Sequence, residues 1–289
     1  MGWKLGQKVI DVIRNKKQSK KEDVLFNTIT RELDELKYVF IPALKTHTET
    51  FLKYKNIYKD RDVVVLGSGP TLKKYNGNIL KDAIHIGVNH TFTYENVELD
   101  YLFIQDNLSV GDDLNPDMQQ RANNYRKNQC KKIYGVHSAP ICSIYENDFI
   151  ESDAEKYYFI DQVMPISNYP LMNADITLRP LNEWSSVIFA ALEFALWTHP
   201  KNIYLVGCDA SKTGHIYWKD INCACPFEDR LLYGWKQFKQ YRDTHYPDVN
   251  IISINPVGLK GLFSDKYTKD YVNANEKLLN MNIQILEWE

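Results

Sequence analysis

Gly67-Ser68-Gly69-Pro70-Thr71 follows directly on the apolar, β-branched run Val63-Val64-Val65-Leu66. That pattern predicts a buried strand entering a tight turn and then a helix. Two glycines let a backbone approach an anion, and the first turn of a helix presents N–H groups and the positive end of its dipole. The stretch is not a GxGxxG fingerprint, because Leu72 stands where the third glycine belongs. Nor is it a Walker P-loop, because no Gly-Lys-Ser/Thr follows. A phosphate cradle and an ordinary tight turn are both open readings of these residues.

Three further polar stretches end short apolar runs in the same way. Val88-Asn89-His90 closes the run 83–88, where the Asn89 amide can read a ribose or base edge or form an Asx-turn. Gln105-Asp106-Asn107 follows Tyr101-Leu102-Phe103-Ile104, and Asp106 suits a ribose hydroxyl, a substrate amine, a cation or a cap. Gly207-Cys208-Asp209-Ala210-Ser211 follows Ile203-Tyr204-Leu205-Val206, with Gly214-His215-Ile216-Tyr217-Trp218 close behind. His215 has the chemistry of a general base and Tyr217 that of a phosphate donor, although a histidine also serves purely structural ends. Finally, Trp184-Ser185-Ser186 opens an apolar segment, so its hydroxyls can cap a helix and face a ligand as well.

These stretches need elements to hold them. Runs at 63–66, 83–88, 101–104, 132–136, 203–207 and 249–254 read as strands, and 185–197 and 235–246 read as helices between them. Strands alternating with helical stretches predict an α/β fold, a Rossmann-like doubly wound, mainly parallel sheet whose ligands collect at the strands' carboxyl ends. This domain is expected over 61–289. Before it, 22–60 carries Leu25, Ile29, Leu33 and Leu36 at helical spacing, then Leu44, Phe51 and Tyr54 after Pro42, which predicts one or two helices packed on the main domain. Residues 107–130 are polar and predict a loop-helix excursion beside the sheet. Tyr125, His137, Tyr157 and Tyr158 either line an acceptor cleft there or cover the sheet.

Composition sets outer limits. With 44% hydrophobic and 25% charged residues the chain is a globular protein rather than a disordered one, and a formal charge of −2 argues against a generally basic nucleic-acid binder. No run approaches the roughly 18 apolar residues of a membrane span. The first residues do not have the pattern of a secretory signal, and five cysteines without framework spacing point to a reducing, cytoplasmic setting. Cys223-Ala224-Cys225 has no second pair at zinc spacing, so no metal site is expected. The net charge nevertheless conceals a division. Residues 1–21 hold seven Lys and Arg against Asp11 alone, a net of +6, which leaves −8 for the rest. Trp3, Ile10 and Ile13 can share a helical face in that basic segment, which reads either as an interfacial helix on anionic lipid or as a solvated tail. It lacks the hydroxyl residue expected for myristoylation.

Taken in order, Gly67 to Leu72, Val88-Asn89-His90, Phe103 to Asp106, Ser185-Ser186-Val187 and Ile203 to Asp209 resemble the bacterial lipooligosaccharide sialyltransferases and the related Maf (motility accessory factor) and MptE-like proteins. The resemblance spans roughly residues 62–264 and lies in order and spacing. It implies a glycosyltransferase taking a nonulosonate sugar from a CMP-linked donor to a glycan or glycolipid acceptor, with no cofactor beyond the donor. By the same resemblance Gly67, Ser68, Gly69, Pro70 and Thr71 hold the nucleotide with Asn89, Gln105 or Asp106, and Ser185. Ser186 and Ser211 stand close to these positions. Tyr217 matches the second of the family's two tyrosines serving the leaving phosphate, and Ser211 occupies the place of the first. The family's catalytic histidine falls in a stretch that reads here Asn222-Cys223-Ala224-Cys225-Pro226-Phe227, so His215 is the nearest substitute, with Asp220 and Glu228 as other replacements. Asp60-Arg61-Asp62 precedes its strand, at the wrong edge to hold a metal on a diphosphate, and Asp112-Asp113 lies in the polar excursion. An Mg²⁺-dependent MptE-like pyrophosphokinase is the rival enzyme, and a non-catalytic nucleotide-binding protein is the third reading. If the basic segment binds membrane, deleting residues 1–21 abolishes salt-sensitive binding to anionic liposomes in a flotation assay and leaves nucleotide binding intact.

Overall fold

The computed structural model describes residues 24–27, 29–30, 41–105, 129–139, 143–144, 154–160, 173–211, 228–275, 278 and 283–285. Among them ten strands form one sheet: β1 (Asp62–Leu66), β2 (Ile84–Val88), β3 (Tyr101–Ile104), β4 (Lys131–Ala139), β5 (Ser143–Ile144), β6 (Glu155–Ile160), β7 (Leu181–Asn182), β8 (Asn202–Val206), β9 (Asn250–Ile254) and β10 (Ser264–Lys266). Their spatial order is β10-β9-β8-β1-β2-β3-β4-β6-β7, with every neighbouring pair parallel, and β5 adds to β4 antiparallel. The expected α/β class with a mainly parallel, Rossmann-like sheet is therefore the fold observed.

The all-apolar run of β1 is buried on both faces, and its alternation feeds two cores. Val63 and Val65 join Ile86, Phe103, Ile203 and Leu205 under the helices α1 (Ile41–Leu52), α2 (Ile188–Trp197) and α3 (Glu228–His245). Val64 and Leu66 join Leu72, Tyr75, Tyr204 and Val206 on the other side. That second face is covered by short 3₁₀ segments, Pro70–Lys74, Gly77–Leu80 and Asn89–Thr93, rather than by the helix expected after Gly69. The local reason is Asn76-Gly77: the Asn76 side chain accepts the Asn78 N–H and starts a new turn before the first can lengthen.

Other elements differ from the sequence expectation at their ends. Helix α2 begins at Ile188, because Trp184 and Ser185 take left-handed backbone angles (φ 39° and 65°) that turn the chain first. Helix α3 begins at Glu228 rather than 235. Strands β5, β6, β7 and β10 had no expectation, since two or three residues carry no periodicity and Glu155 to Ile160 lies in a stretch without a motif. Tyr157 and Tyr158 are buried, Tyr157 against Phe51 and Phe103, so they cover the sheet and line no cleft. The helical stripe of 24–30 is also not buried: Leu25 is 60% exposed and Ile29 49%. Periodicity marks an apolar face without saying what it meets.

Helix α1 is part of the core. Phe51 and Tyr54 pack on Phe194, and the Trp197 indole donates to the Phe51 carbonyl at 2.9 Å. His47, fully buried, donates from Nε2 to the Ile176 carbonyl at 2.6 Å and accepts the Tyr158 N–H at Nδ1, 3.0 Å away. Both ring nitrogens are thus engaged by a neutral imidazole. Burial, aided by the Arg179 charge, lowers its pKa from 6.5 to about 4 against the opposing pull of its backbone hydrogen bonds. A folded value below the unfolded one means that unfolding takes up a proton, so this contribution is complete above pH 6.5 and is lost as pH falls toward 4. The total is on the order of 3 kcal/mol. Urea denaturation between pH 7 and pH 4 is expected to show this loss. In His47→Gln the slope over that range is smaller by about one proton, or about 1.4 kcal/mol per pH unit.

Candidate functional site

The chain order reverses at β1. From there it runs outward through β2, β3, β4, β6 and β7, returns to β8 on the other side of β1, and continues through β9 to β10. The described elements that follow β1 and β8 in the chain pack on opposite faces. Leu72 and Tyr75 enter one core, and Trp235 and Phe238 of α3 enter the other. A crevice at the strands' carboxyl ends is the geometric consequence, and it is where ligands bind in open parallel sheets. An open cleft of about 90 Å³ lies there. Ser68, Ser186, Ser211 and the 67–69 and 207–210 backbones give it polar walls, while Val88, Ile188, Leu231 and Trp235 give it apolar ones.

The floor of the cleft is a contact between two backbones. A Cβ on Gly67 would lie 2.6 Å from the Gly207 carbonyl oxygen, one on Gly207 would meet the Gly67 carbonyl oxygen, and Gly207 has φ 64°. Gly67 N–H donates to the Val206 carbonyl and Gly69 N–H to the Gly207 carbonyl, each at 2.8 Å. The glycines therefore serve the approach of loop to loop. The N–H groups of Gly67 and Gly69 are engaged within the fold.

Asp209 completes the junction. It is buried, accepts the Thr71 N–H at Oδ2 over 3.0 Å, and accepts the Thr71 hydroxyl at Oδ1. Burial raises its pKa, and the two bonds from Thr71 oppose that rise. The first turn after β1, which would offer N–H groups to an anion, already holds a carboxylate of its own chain. Cys208 lines the cleft with a thiol that burial, and then the Asp209 charge, push far above neutral pH, so it is no thiolate nucleophile.

Of the residues expected from sequence, Gly67, Ser68, Gly69, Ser186 and Ser211 line the cleft. Pro70 and Thr71 form the 3₁₀ turn behind it. Asn89 (φ 42°) accepts the Gln105 N–H at Oδ1 over 3.0 Å and so ties the ends of β2 and β3 together. The Gln105 carboxamide is buried beside Gly135 and is not among the residues lining the cleft. Ser185 stands next to Ser186, whose hydroxyl accepts the Ile188 N–H at 3.4 Å as a weak cap. Asp106, His215, Tyr217 and Asp220 lie outside the described residues, as do Cys223 and Cys225.

No protein-family model matches the sequence, and no curated protein matches it. Among solved structures the chain is similar to a Maf glycosyltransferase from Magnetospirillum magneticum AMB-1, at 13% identity and a TM-score of 0.44. The similarity covers 84% of this chain and 40% of that one, so this chain spans less than half of that protein's length.

Sequence reasoning missed Asp209 as the organiser and Leu231, Ile188 and Trp235 as the apolar wall. Asp209 carried a signal, as an acidic residue directly after a buried strand, but its partner is 138 residues away. Left-handed non-glycine residues collect along this edge, at Asn89, Trp184, Ser185, Ala210 and Asn255. Such backbone is sparsely populated and persists where packing enforces it, often around ligand sites. Asp209→Ala leaves the Thr71 N–H without its acceptor and should lower the unfolding free energy by about 2–3 kcal/mol in chemical denaturation, with Asp209→Asn losing less. Gly67→Ala, which drives a methyl into a backbone carbonyl, should destabilise by about as much.

Proposed function

We propose that the chain is a glycosyltransferase that takes a nonulosonate sugar from a CMP-linked donor and passes it to a glycan or glycolipid acceptor. The observation that carries this reading is the cleft at the β1/β8 switch point, lined by both serine hydroxyls and apolar side chains. A nucleoside monophosphate needs both kinds of surface. The ordered motifs that resemble the sialyltransferases run through the same loops.

In the transfer the acceptor hydroxyl oxygen attacks the anomeric carbon, the bond from that carbon to the phosphate oxygen breaks, and CMP departs with the electron pair. A base must take the hydroxyl proton, and donors must meet the charge that grows on the phosphate. We assign the base to His215 and the main phosphate donor to Tyr217. Ser211 takes the helper role, together with Ser68 and Ser186 of the same cleft. Asn89, Asp106 and Ser185 hold the nucleoside. A monophosphate leaving group calls for no divalent metal to neutralise it, unlike a diphosphate. The basic segment 1–21 would hold an otherwise acidic enzyme near anionic lipid if the acceptor is lipid-linked.

Thermal stability measured against CMP, CDP and ATP, with and without Mg²⁺, tests the reading. Stabilisation by CMP without magnesium is expected, by an amount that follows ligand concentration. Stabilisation by ATP alone, and only with Mg²⁺, would replace the transferase with pyrophosphoryl transfer. His215→Ala should retain CMP binding and lose turnover of a CMP-sugar, and unchanged turnover would remove the base assignment.

A further inference from the structure

A second cleft opens at the far end of the 3₁₀ segment that begins at the first one. It is an open cleft of about 510 Å³, lined by Lys73, Lys74, Tyr75, Asn76, Asn78, Tyr94, Asn96 and Asp270. No aliphatic side chain is among them. A drug-like or lipid ligand seeks mostly apolar walls. This cleft offers ammonium, carboxamide, phenol and carboxylate groups, which match a ligand dense in hydroxyls and anionic groups.

Hydrogen bonds fix its walls. The Tyr94 hydroxyl donates to the Tyr75 carbonyl, the Asn96 amide donates to Tyr94 Oη at 3.3 Å, and Asn76 caps the turn that carries Asn78. The Thr268 hydroxyl reaches the Lys74 carbonyl at 3.5 Å, which draws in the helix α4 (Lys269–Asn273) with Asp270. Inside this frame the Lys73 and Lys74 side chains have no ion-pair or hydrogen-bond partner among the described residues, and Asp270 is the one carboxylate in the lining. Two adjacent ammonium groups against one carboxylate leave the wall net positive, which raises the local concentration of anions. They do so in a body whose net charge outside residues 1–21 is −8. Three residues of 3₁₀ helix, Pro70 to Leu72, separate Lys73 from Gly69, a rise of about 8 Å, which is between one and two sugar units.

We infer that this cleft binds an acidic oligosaccharide, with Lys73 and Lys74 on its carboxylate or phosphate groups and Asn78 and Asn96 on its hydroxyls. Lying one short helix from the switch-point cleft, it holds the acceptor chain while the end of that chain reaches the donor. This last step alone rests on the transferase reading, since oligosaccharide binding stands without it.

The test is calorimetric titration of the full chain with tetragalacturonate, with maltotetraose as the neutral comparison, at low and at physiological salt. Tetragalacturonate should bind and maltotetraose should not. The double variant Lys73→Glu/Lys74→Glu should weaken binding at least about tenfold, with the melting temperature and CMP binding unchanged, because both lysines are exposed. Asn78→Ala should weaken it less. The inference is overturned if the acidic tetramer fails to bind the unaltered chain, if it binds the double variant equally, if maltotetraose binds as well, or if inorganic phosphate at equal charge displaces it completely. Loss of CMP binding in the unaltered chain would instead remove the transferase reading and leave this cleft's result standing.

Discussion

Helix α2 is buried along its whole length. All ten of its residues are buried, Glu193 among them, and the helix lies across β1, β2 and β3 beneath the edge whose loops make the cleft. A carboxylate in that place must be matched from within, because an unpaired buried charge is among the most destabilising features a core can have. Arg179 supplies the match. Its guanidinium meets Glu193 at 2.6 Å and donates to the carbonyls of Asn173 and Pro180, and the Asn182 backbone and amide donate to the other carboxylate oxygen. Burial opposes the arginine's charge, but Glu193, followed by Tyr241, holds it protonated above its ordinary range. Removing either partner would leave its counterpart stranded, so the pair specifies one position for the helix and for the 173–182 segment that ends in β7.

That position governs the candidate site. The left-handed turn at Trp184 and Ser185 is enforced because β7 ends at Asn182 and α2 starts at Ile188, with only a few residues between two anchored elements. Trp184 packs edge-on against Phe189, which in turn meets Trp235 on α3. Ser186, Ile188 and Trp235 therefore arrive on one wall of the cleft through one aromatic chain of contacts. The opposite wall is fixed by the Asp209–Thr71 bonds and by the close approach of Gly67 and Gly207. Neither wall depends on a ligand for its shape, as expected of a site that is largely preformed.

Several features were already legible in the residues. The run Val63 to Leu66 specified a strand buried on both faces, because nothing in it tolerates solvent, and the alternation with helical stretches specified a parallel sheet with its loops at one edge. The serines and glycines after β1 and β8 were readable as edge residues for the same reason. What the residues at 67 and 69 do there was not readable. Glycine permits close approach to an anion and to a backbone alike, and only the neighbouring strand decides which. The partner here is Gly207, brought alongside by the β1/β8 pairing.

Local sequence thus determined what each segment is: its period, its burial and the chemistry of its end. The tertiary structure alone decided what each segment meets. Asn89 ties two strands together, Asp209 occupies the donors of the turn after β1, Glu193 in an apolar helix finds Arg179, and Lys73 and Lys74 face a polar cleft whose one carboxylate is Asp270. The physical reason is range. Side-chain periodicity and turn propensity act over a few residues, whereas hydrogen bonds, ion pairs and close backbone contacts in this fold join groups as many as 194 residues apart.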